Sequence, residues 1–135
     1  MQNCSSQVAV VVDPEFGDRL AGLADQQCVW IADSATNRAV AERLWREKSV
    51  YAVITFRFDP AASRAVTLAS ILPVIDEHHG ARSCHPPYNR LAVYGVEPEA
   101  GVLAALTTVD FALEASTPNG FTAIAVGRGL TRKCS

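Results

Sequence analysis

Hydrophobic positions along this chain follow two patterns that alternate. Largely continuous apolar runs of strand length occupy 8–12, 28–32, 51–58, 91–96 and 121–126. Between successive runs the apolar residues recur every three or four positions, which is the spacing of one face of a helix. This second pattern predicts four helices, over about 16–23, 35–48, 61–79 and 98–116.

The alternation of strands and helices predicts the fold class. It is typical of an α/β protein, here a three-layer α/β/α sandwich with a five-stranded, mainly parallel sheet. The apolar runs at 8–12 and 51–58 agree, because central parallel strands are buried on both faces. Right-handed crossovers leave two main strand orders, flavodoxin-like 2-1-3-4-5 and Rossmann-like 3-2-1-4-5. The pattern does not choose between them.

Two prolines leave room for a different local structure. Pro73 lies inside the third predicted helix and has no backbone N–H, so we expect a kink or break near Leu72. Pro118, followed by Asn-Gly, could instead turn a strand over 111–116 into a hairpin with the last strand. Because apolar residues keep the helical period from Val102 to Leu113, the helix is the prediction.

Composition places 1–135 in one α/β domain with short polar tails at 1–6 and 129–135. The 135 residues are 49% hydrophobic and 19% charged, which is enough apolar material for one core. Twelve Lys and Arg against 14 Asp and Glu give a net charge of −2, and the cations are scattered. Nucleic acid is not expected as a partner, because binding a phosphate backbone requires a concentrated basic face.

The sequence predicts a cytoplasmic protein that does not contact membranes. Residues 1–7 are mostly polar, and the apolar run that follows is too short for a signal peptide or a spanning helix. The cysteines are too few and too widely spaced for a disulfide scaffold, so we expect reduced thiols. We interpret Cys28, within a strand, as a small buried hydrophobe. The cysteines are Cys4, Cys28, Cys84 and Cys134.

Three predicted strands end in an acid followed by proline: Asp13-Pro14, Asp59-Pro60 and Glu97-Pro98. In a parallel sheet the strand ends that lead into helices share one edge, so these acids should line it. Aspartate is a favoured helix N-cap, and proline is favoured next because it has no N–H to satisfy. Helix capping is therefore the predicted role of Asp13 and Asp59. Glu97 fits less well, since glutamate is not a preferred cap.

The same edge is where open parallel sheets bind ligands, which gives these acids a second interpretation. Asp13, Glu15 and Asp59 could hold a hard cation such as Mg²⁺ if the first and third strands are neighbours. Arg128, between two glycines after the last strand, could bring a guanidinium to an anion there. The candidate ligand-binding residues are Asp13, Glu15, Asp59, Glu97 and Arg128.

This layout is similar in outline to the receiver domain of response regulators. In that family, acids after the first strand and an aspartate after the third bind the metal and accept phosphate. The likeness rests on the alternation and on Asp13, Glu15 and Asp59, and it implies Mg²⁺ and phosphoryl chemistry. The chain departs from the family in three respects: Pro14 splits the acid pair, Glu97 follows the fourth strand where receivers carry Ser or Thr, and Gly127-Arg128 follows the fifth where they carry Lys.

Three histidines and a cysteine lie close together in the sequence: His78, His79, Cys84 and His85. Imidazole and thiolate suit Zn²⁺, and a cysteine beside histidines could be activated as a nucleophile. The spacing matches no regular zinc pattern, and histidines in the last turn of a helix interact well with its negative end. We predict no metal here; His79, Cys84 and His85 are the weak candidates for one.

The functional prediction is a small non-catalytic α/β domain that acts by protein–protein interaction, with self-association included. The third predicted helix carries more apolar surface than contact with one sheet needs. Candidate contacts are Trp45, Val66, Val74 and Tyr88, although a core role is the simpler expectation for Trp45.

The alternative is a Mg²⁺- or phosphate-ligand-binding protein, or a phosphoryl-transfer or hydrolytic enzyme, that uses the acidic edge. Nucleotide-binding and nucleophile-elbow motifs do not occur in the sequence. No cofactor is predicted apart from Mg²⁺ in this alternative, and the residues do not decide whether the chain is an enzyme.

Overall fold

The computed structural model describes residues 7–17, 19, 28–47, 52–82 and 89–126. Within these residues lie six strands and three helices. In chain order they are β1 (Gln7–Val11), β2 (Cys28–Ala32), α1 (Ala35–Glu47), β3 (Ala52–Phe56), α2 (Arg64–Arg82), β4 (Arg90–Tyr94), α3 (Ala100–Thr108), β5 (Phe111–Thr117) and β6 (Gly120–Ala125). The predicted helix over 16–23 falls mostly outside the described residues.

The strands form one mixed sheet in the order β3-β2-β1-β4-β6-β5. Neighbouring strands from β3 to β4 are parallel, whereas β6 is antiparallel to both β4 and β5. The α/β class is confirmed. The flavodoxin-like order is wrong, because β3 pairs with β2 and not with β1. The first four strands run 3-2-1-4, but β6 separates β4 from β5, so neither five-strand order is reproduced in full.

Helices cover both faces of the sheet, because its central strands alternate buried side chains between two apolar clusters. On one face, residues of α2 and α3 such as Leu72 and Leu106 pack on Val8 and Val10. On the other face, Ala41 and Leu44 of α1 lie with alternate residues of β1 and β2. Strand β1 is therefore buried on both sides, as its continuous apolar run predicts.

The predicted fourth helix is wrong in its second half. Helix α3 ends at Thr108, and Asp110 takes a positive φ of 62°, a conformation that ends a helix. Strand β5 then begins at Phe111 and returns as β6 through a turn at Pro118-Asn119, which is the hairpin alternative. The hairpin buries Phe111, which is 1% exposed, in the core that α2 and α3 also cover.

Helix α2 continues through Pro73, so a break near Leu72 is wrong, and the kink stays a prediction. Its buried stripe of Leu68, Leu72 and Ile75 packs into the core on both sides of the proline. Pro73 itself is exposed. Core contacts on the buried face therefore hold the helix together where a backbone donor is missing.

Cys28 takes part in a disulfide bond, so the expectation of a reduced thiol there is wrong. Its predicted burial within β2 is confirmed. Sequence spacing does not reveal which cysteines meet in space, because pairing depends on Cα separation in the fold. The other three cysteines lie outside the described residues.

Replacing Gly120 with alanine should destabilise the hairpin, because a Cβ at Gly120 would overlap the backbone of Val93 on β4. The expected cost is about 1 to 3 kcal/mol, as for other overpacked sites. Gly101→Ala is the matched control: nothing lies within 4 Å of a Cβ there, and alanine is the better helix former. Urea unfolding measures both variants. Equal stability of Gly120→Ala and the parent protein would contradict this packing.

Candidate functional site

The carboxyl ends of β1 and β4 border a polar crevice of about 680 Å³. It lies between the loop after β1, the start of α2, the segment from β4 to α3, and the turn from β5 to β6. Two arginines and three acids stand in its walls: Asp13, Arg19, Arg64, Glu97 and Glu99. We call it the carboxyl-edge crevice.

Asp13 is the buried charged group of this crevice, with only 7% of its surface exposed. Its Oδ1 accepts a hydrogen bond from the backbone N–H of Glu15 at 2.9 Å, which closes a turn after β1. Arg19 Nη2 lies 3.3 Å from Oδ2, and Arg64 Nη2 lies 3.2 Å from Oδ1. Asp13 therefore fixes a turn, as a cap would, and also pairs with two cations that the sequence interpretation missed.

Both arginines are held by a second acceptor as well. Arg64 Nη1 donates to the carbonyl of Gly95 at 3.0 Å, and Arg19 Nη1 donates to Asn119 Oδ1 at 3.2 Å. The Arg19 guanidinium also lies over the ring of Phe16, 4.8 Å from its centroid. Each guanidinium is thus anchored at two points while its side chain stays about half exposed.

Capping of a helix by Asp59 is wrong, because α2 begins later than predicted. Asp59 Oδ1 accepts the N–H of Ala61 at 2.9 Å within a turn that precedes the helix. Ser63 stands just before α2, and its Oγ accepts the N–H of Val66 at 3.1 Å. A serine therefore performs the capping that the sequence assigned to the aspartate.

Of the other predicted site residues, Glu97 shares the crevice with Asp13, whereas Glu15 and Asp59 do not line it. Glu97 lies on the rim of the crevice and is exposed, whereas Glu15 accepts a long 3.5 Å bond from a threonine of α1. Asp59 lies by a separate hollow that Phe56 helps to line. A Mg²⁺ site formed by Asp13, Glu15 and Asp59 would require β1 and β3 to be neighbouring strands. They are not neighbours, because β2 lies between them. Arg128 is outside the described residues.

Within the described residues, no group of three or more His, Cys, Asp or Glu side chains is placed to hold a metal ion. The zinc candidates Cys84 and His85 lie outside those residues, so the structure does not test them. The carboxyl-edge crevice thus combines two arginines with three acids, of which Asp13 is paired with both arginines.

Asn37, 1% exposed, holds the loop after β1 in place. Its Oδ1 accepts the N–H of Gly17 at 2.9 Å, and its Nδ2 donates to the carbonyls of Asp13 at 2.8 Å and Ala32 at 3.1 Å. The backbone N–H of Asn37 donates to Ser34 Oγ at 3.0 Å, which caps α1. One buried amide therefore joins the ends of β1 and β2 to α1 and positions Asp13.

His79 has a structural role that explains its burial. Trp30 Nε1 donates to His79 Nε2 at 2.9 Å, so this nitrogen must be unprotonated. The ring of His78 packs edge-on against His79, with centroids 4.8 Å apart. Burial, and secondarily the charge of His78, lowers the pKa of His79 from 6.5 to about 4. At neutral pH His79 is the neutral acceptor for a buried indole.

A second candidate surface is the outer edge of β3. Among the described residues β3 pairs with β2 only, and its sequence, AVITF, contains no charge or proline. Trp45 of α1 stands beside Val53 on one face, 52% exposed, which corrects its expected core role. Val66 of α2 stands on the other face near Phe56, 56% exposed. We call β3 with Trp45 and Val66 the β3 edge surface.

Two of the residues predicted to contact a protein partner remain, Val74 and Tyr88. Val74 is exposed on α2, 49% accessible, and Tyr88 lies outside the described residues.

No helix of the described residues is long and apolar enough to cross a membrane. Comparison with protein families, curated proteins and solved structures finds no match to this chain.

Asp13→Ala should lower the free energy of unfolding by about 2 kcal/mol, because a turn loses its acceptor and two arginines lose a buried partner. Asp13→Asn keeps a side-chain oxygen and should cost less. Asp33→Ala, which breaks only the exposed pair with Arg38, is the control and should cost less than about 1 kcal/mol. Urea unfolding with and without Mg²⁺ measures all three. A Mg²⁺-dependent stabilisation that Asp13→Asn abolishes would overturn this account.

His79 should make the protein less stable in acid. Its pKa is about 4 when folded and 6.5 when unfolded, so its contribution is complete above pH 6.5 and declines as the pH falls towards 4. The expected loss is roughly 3 kcal/mol. His79→Gln, which can still accept from Trp30, should flatten this part of the profile, whereas His78→Gln should retain most of it. Parallel pH profiles of the parent and His79→Gln would contradict the assignment.

Proposed function

We propose that this chain is a non-catalytic interaction domain that associates with a second copy of itself through the β3 edge surface. The single observation that carries the proposal is an uncharged apolar edge strand flanked by an exposed tryptophan and an exposed valine. Such a strand presents a row of unpaired backbone N–H and C=O groups to any strand that can align with it.

The two edges of the sheet differ in the features that prevent pairing. On β5 the pairing register with β6 shifts between Leu113 and Ala115, and Glu114 lies between them. Arg90 Nη1 binds that glutamate at 2.6 Å, which places an ion pair across the edge. Bulges and charges are common devices that keep edge strands from aggregating. Within the described part of the chain strand β3 has neither, so we take it as the edge that is open to a partner.

A second copy fits the β3 edge because the strand is compatible with itself. In an antiparallel pair related by a two-fold axis at Ile54, Val53 of one copy faces Thr55 of the other. Residues 52–56 are uncharged, so no like charges oppose each other across the pair. Five residues a side give a small interface, and small interfaces are typical of weak, reversible association.

A cytoplasmic location remains a prediction from sequence, and one observation weighs against it. Cys28 is disulfide-bonded, whereas cytosolic thiols are usually kept reduced. Self-association through the β3 edge surface does not depend on the redox state of the compartment, because this surface contains no cysteine.

Thr55→Lys should weaken self-association, because Thr55 is exposed on β3 and the lysines of the two copies would be diagonal neighbours across the pair, within reach of long side chains of like charge. Leu113→Lys places the same charge on the opposite edge strand and is the control. Sedimentation velocity over a range of concentrations should show the parent and Leu113→Lys approaching dimer, while Thr55→Lys stays at 14.5 kDa.

Tryptophan emission gives a second readout in the same experiment. Of the two tryptophans, Trp45 is 52% exposed and Trp30 is 5% exposed, so dimerisation should shift the emission of Trp45 to the blue. Trp45→Phe should abolish the concentration dependence of that shift. A parent that stays monomeric at all concentrations, or a dimer that Thr55→Lys leaves intact, would reject the proposal.

A further inference from the structure

We propose that the carboxyl-edge crevice binds a small molecule through an oxyanion, either phosphate or carboxylate, that the guanidinium groups of Arg19 and Arg64 hold. This site is separate from the β3 edge surface, since β3 lies at one margin of the sheet and the crevice lies beyond β1 and β4.

The location is favourable because the chain order reverses there. From β1 the sheet continues through β2 and β3 in one direction and through β4 in the other. Helix α1 covers the first face, and α2 and α3 cover the second. In open α/β sheets, ligands bind outside the carboxyl ends of the strands at such a reversal point. Asp13, directly after Val12, and Gly95, directly after β4, lie there.

The arginines are already fixed in position for binding. Each guanidinium has five N–H groups, and among the described residues each donates two hydrogen bonds to protein acceptors. The remaining N–H groups have no acceptor among the residues that the structure describes and can meet a ligand. Arg19 and Arg64 come from different segments and meet at one carboxylate, so little side-chain entropy remains to be lost when an oxyanion binds.

The charges of the crevice indicate what kind of anion fits. Asp13 offsets one of the two positive charges of Arg19 and Arg64, so these three groups together carry one surplus positive charge, whereas Glu97 and Glu99 make the lining as a whole net −1. Glu97 and Glu99 are exposed on the rim and would repel a second negative group while accepting hydrogen bonds from hydroxyl or amino groups. The preferred ligand therefore has one oxyanion and a polar, uncharged or cationic remainder.

The segment from β4 to α3 supports the same chemistry. Glu99 is the N-cap of α3 and makes no side-chain cap bond to the described residues, so the first N–H groups of this helix lack a side-chain partner. Helix N-termini favour anions, and the N-cap residue Glu99 lines the crevice. A volume of about 680 Å³ also lies within the usual range for small-molecule sites.

Titration of the 135-residue chain with inorganic phosphate and with acetate, at constant ionic strength, tests the proposal. Amide chemical shifts report binding and give a dissociation constant for each probe, and the stronger probe identifies the oxyanion. We expect saturable binding by the parent, with at least a tenfold loss of affinity in Arg19→Gln and in Arg64→Gln. Arg38→Gln removes an exposed, ion-paired arginine outside the crevice and should bind like the parent.

Two further variants keep the outcome clear. Arg64→Lys retains the charge but not the planar fork, so it should fold and bind more weakly than the parent. Thr55→Lys should bind like the parent, which separates this site from self-association through β3. The proposal is overturned if neither probe saturates the parent, or if the Arg19 and Arg64 variants bind with the affinity of Arg38→Gln.

Discussion

The remaining structure depends on one constraint: β1 is buried on both faces and paired on both edges. Residues 8–12 are at most 1% exposed, and β2 and β4 flank the strand. A strand in this position needs apolar cover on both sides, which places α1 on one face and α2 and α3 on the other. It also forces the chain to leave the sheet at a buried point, where Asp13 follows directly.

Sequence periodicity could predict this arrangement only as far as each signal is local. The apolar run at 8–12 predicts a buried strand, and the helical spacing over α1 and α2 predicts those helices, without reference to any other part of the chain. Both helices form close to where they were expected. The hairpin was missed because Val102, Leu106 and Val109 keep a helical period that Leu113 happens to continue. Leu113 is in fact 40% exposed on an edge strand. What ends the helix is the backbone of Asp110 and the distant packing of β5, which no local pattern encodes.

The candidate site was predicted in part for the same reason. Asp13 could be placed at the ligand-binding edge because it directly follows an apolar run. Its partners could not: Arg19 and Arg64 are 45 residues apart in the sequence and meet only through strand order. Asn37 gave no signal either, since a buried asparagine looks like any helical polar residue until its amide finds three backbone partners. Strand order and buried polar pairing are both non-local.

Capping alone does not account for the two arginines at Asp13. A cap needs one oxygen and one backbone N–H, and Glu15 already supplies that donor. Taking a charge out of water is costly, and paired charges at low exposure seldom add much net stability. What the pairs do provide is orientation, because one carboxylate and two further acceptors fix both guanidinium groups in the walls of the crevice. Two fixed, half-exposed cations at the carboxyl edge of the sheet are better explained by the anion they can receive than by the turn they border.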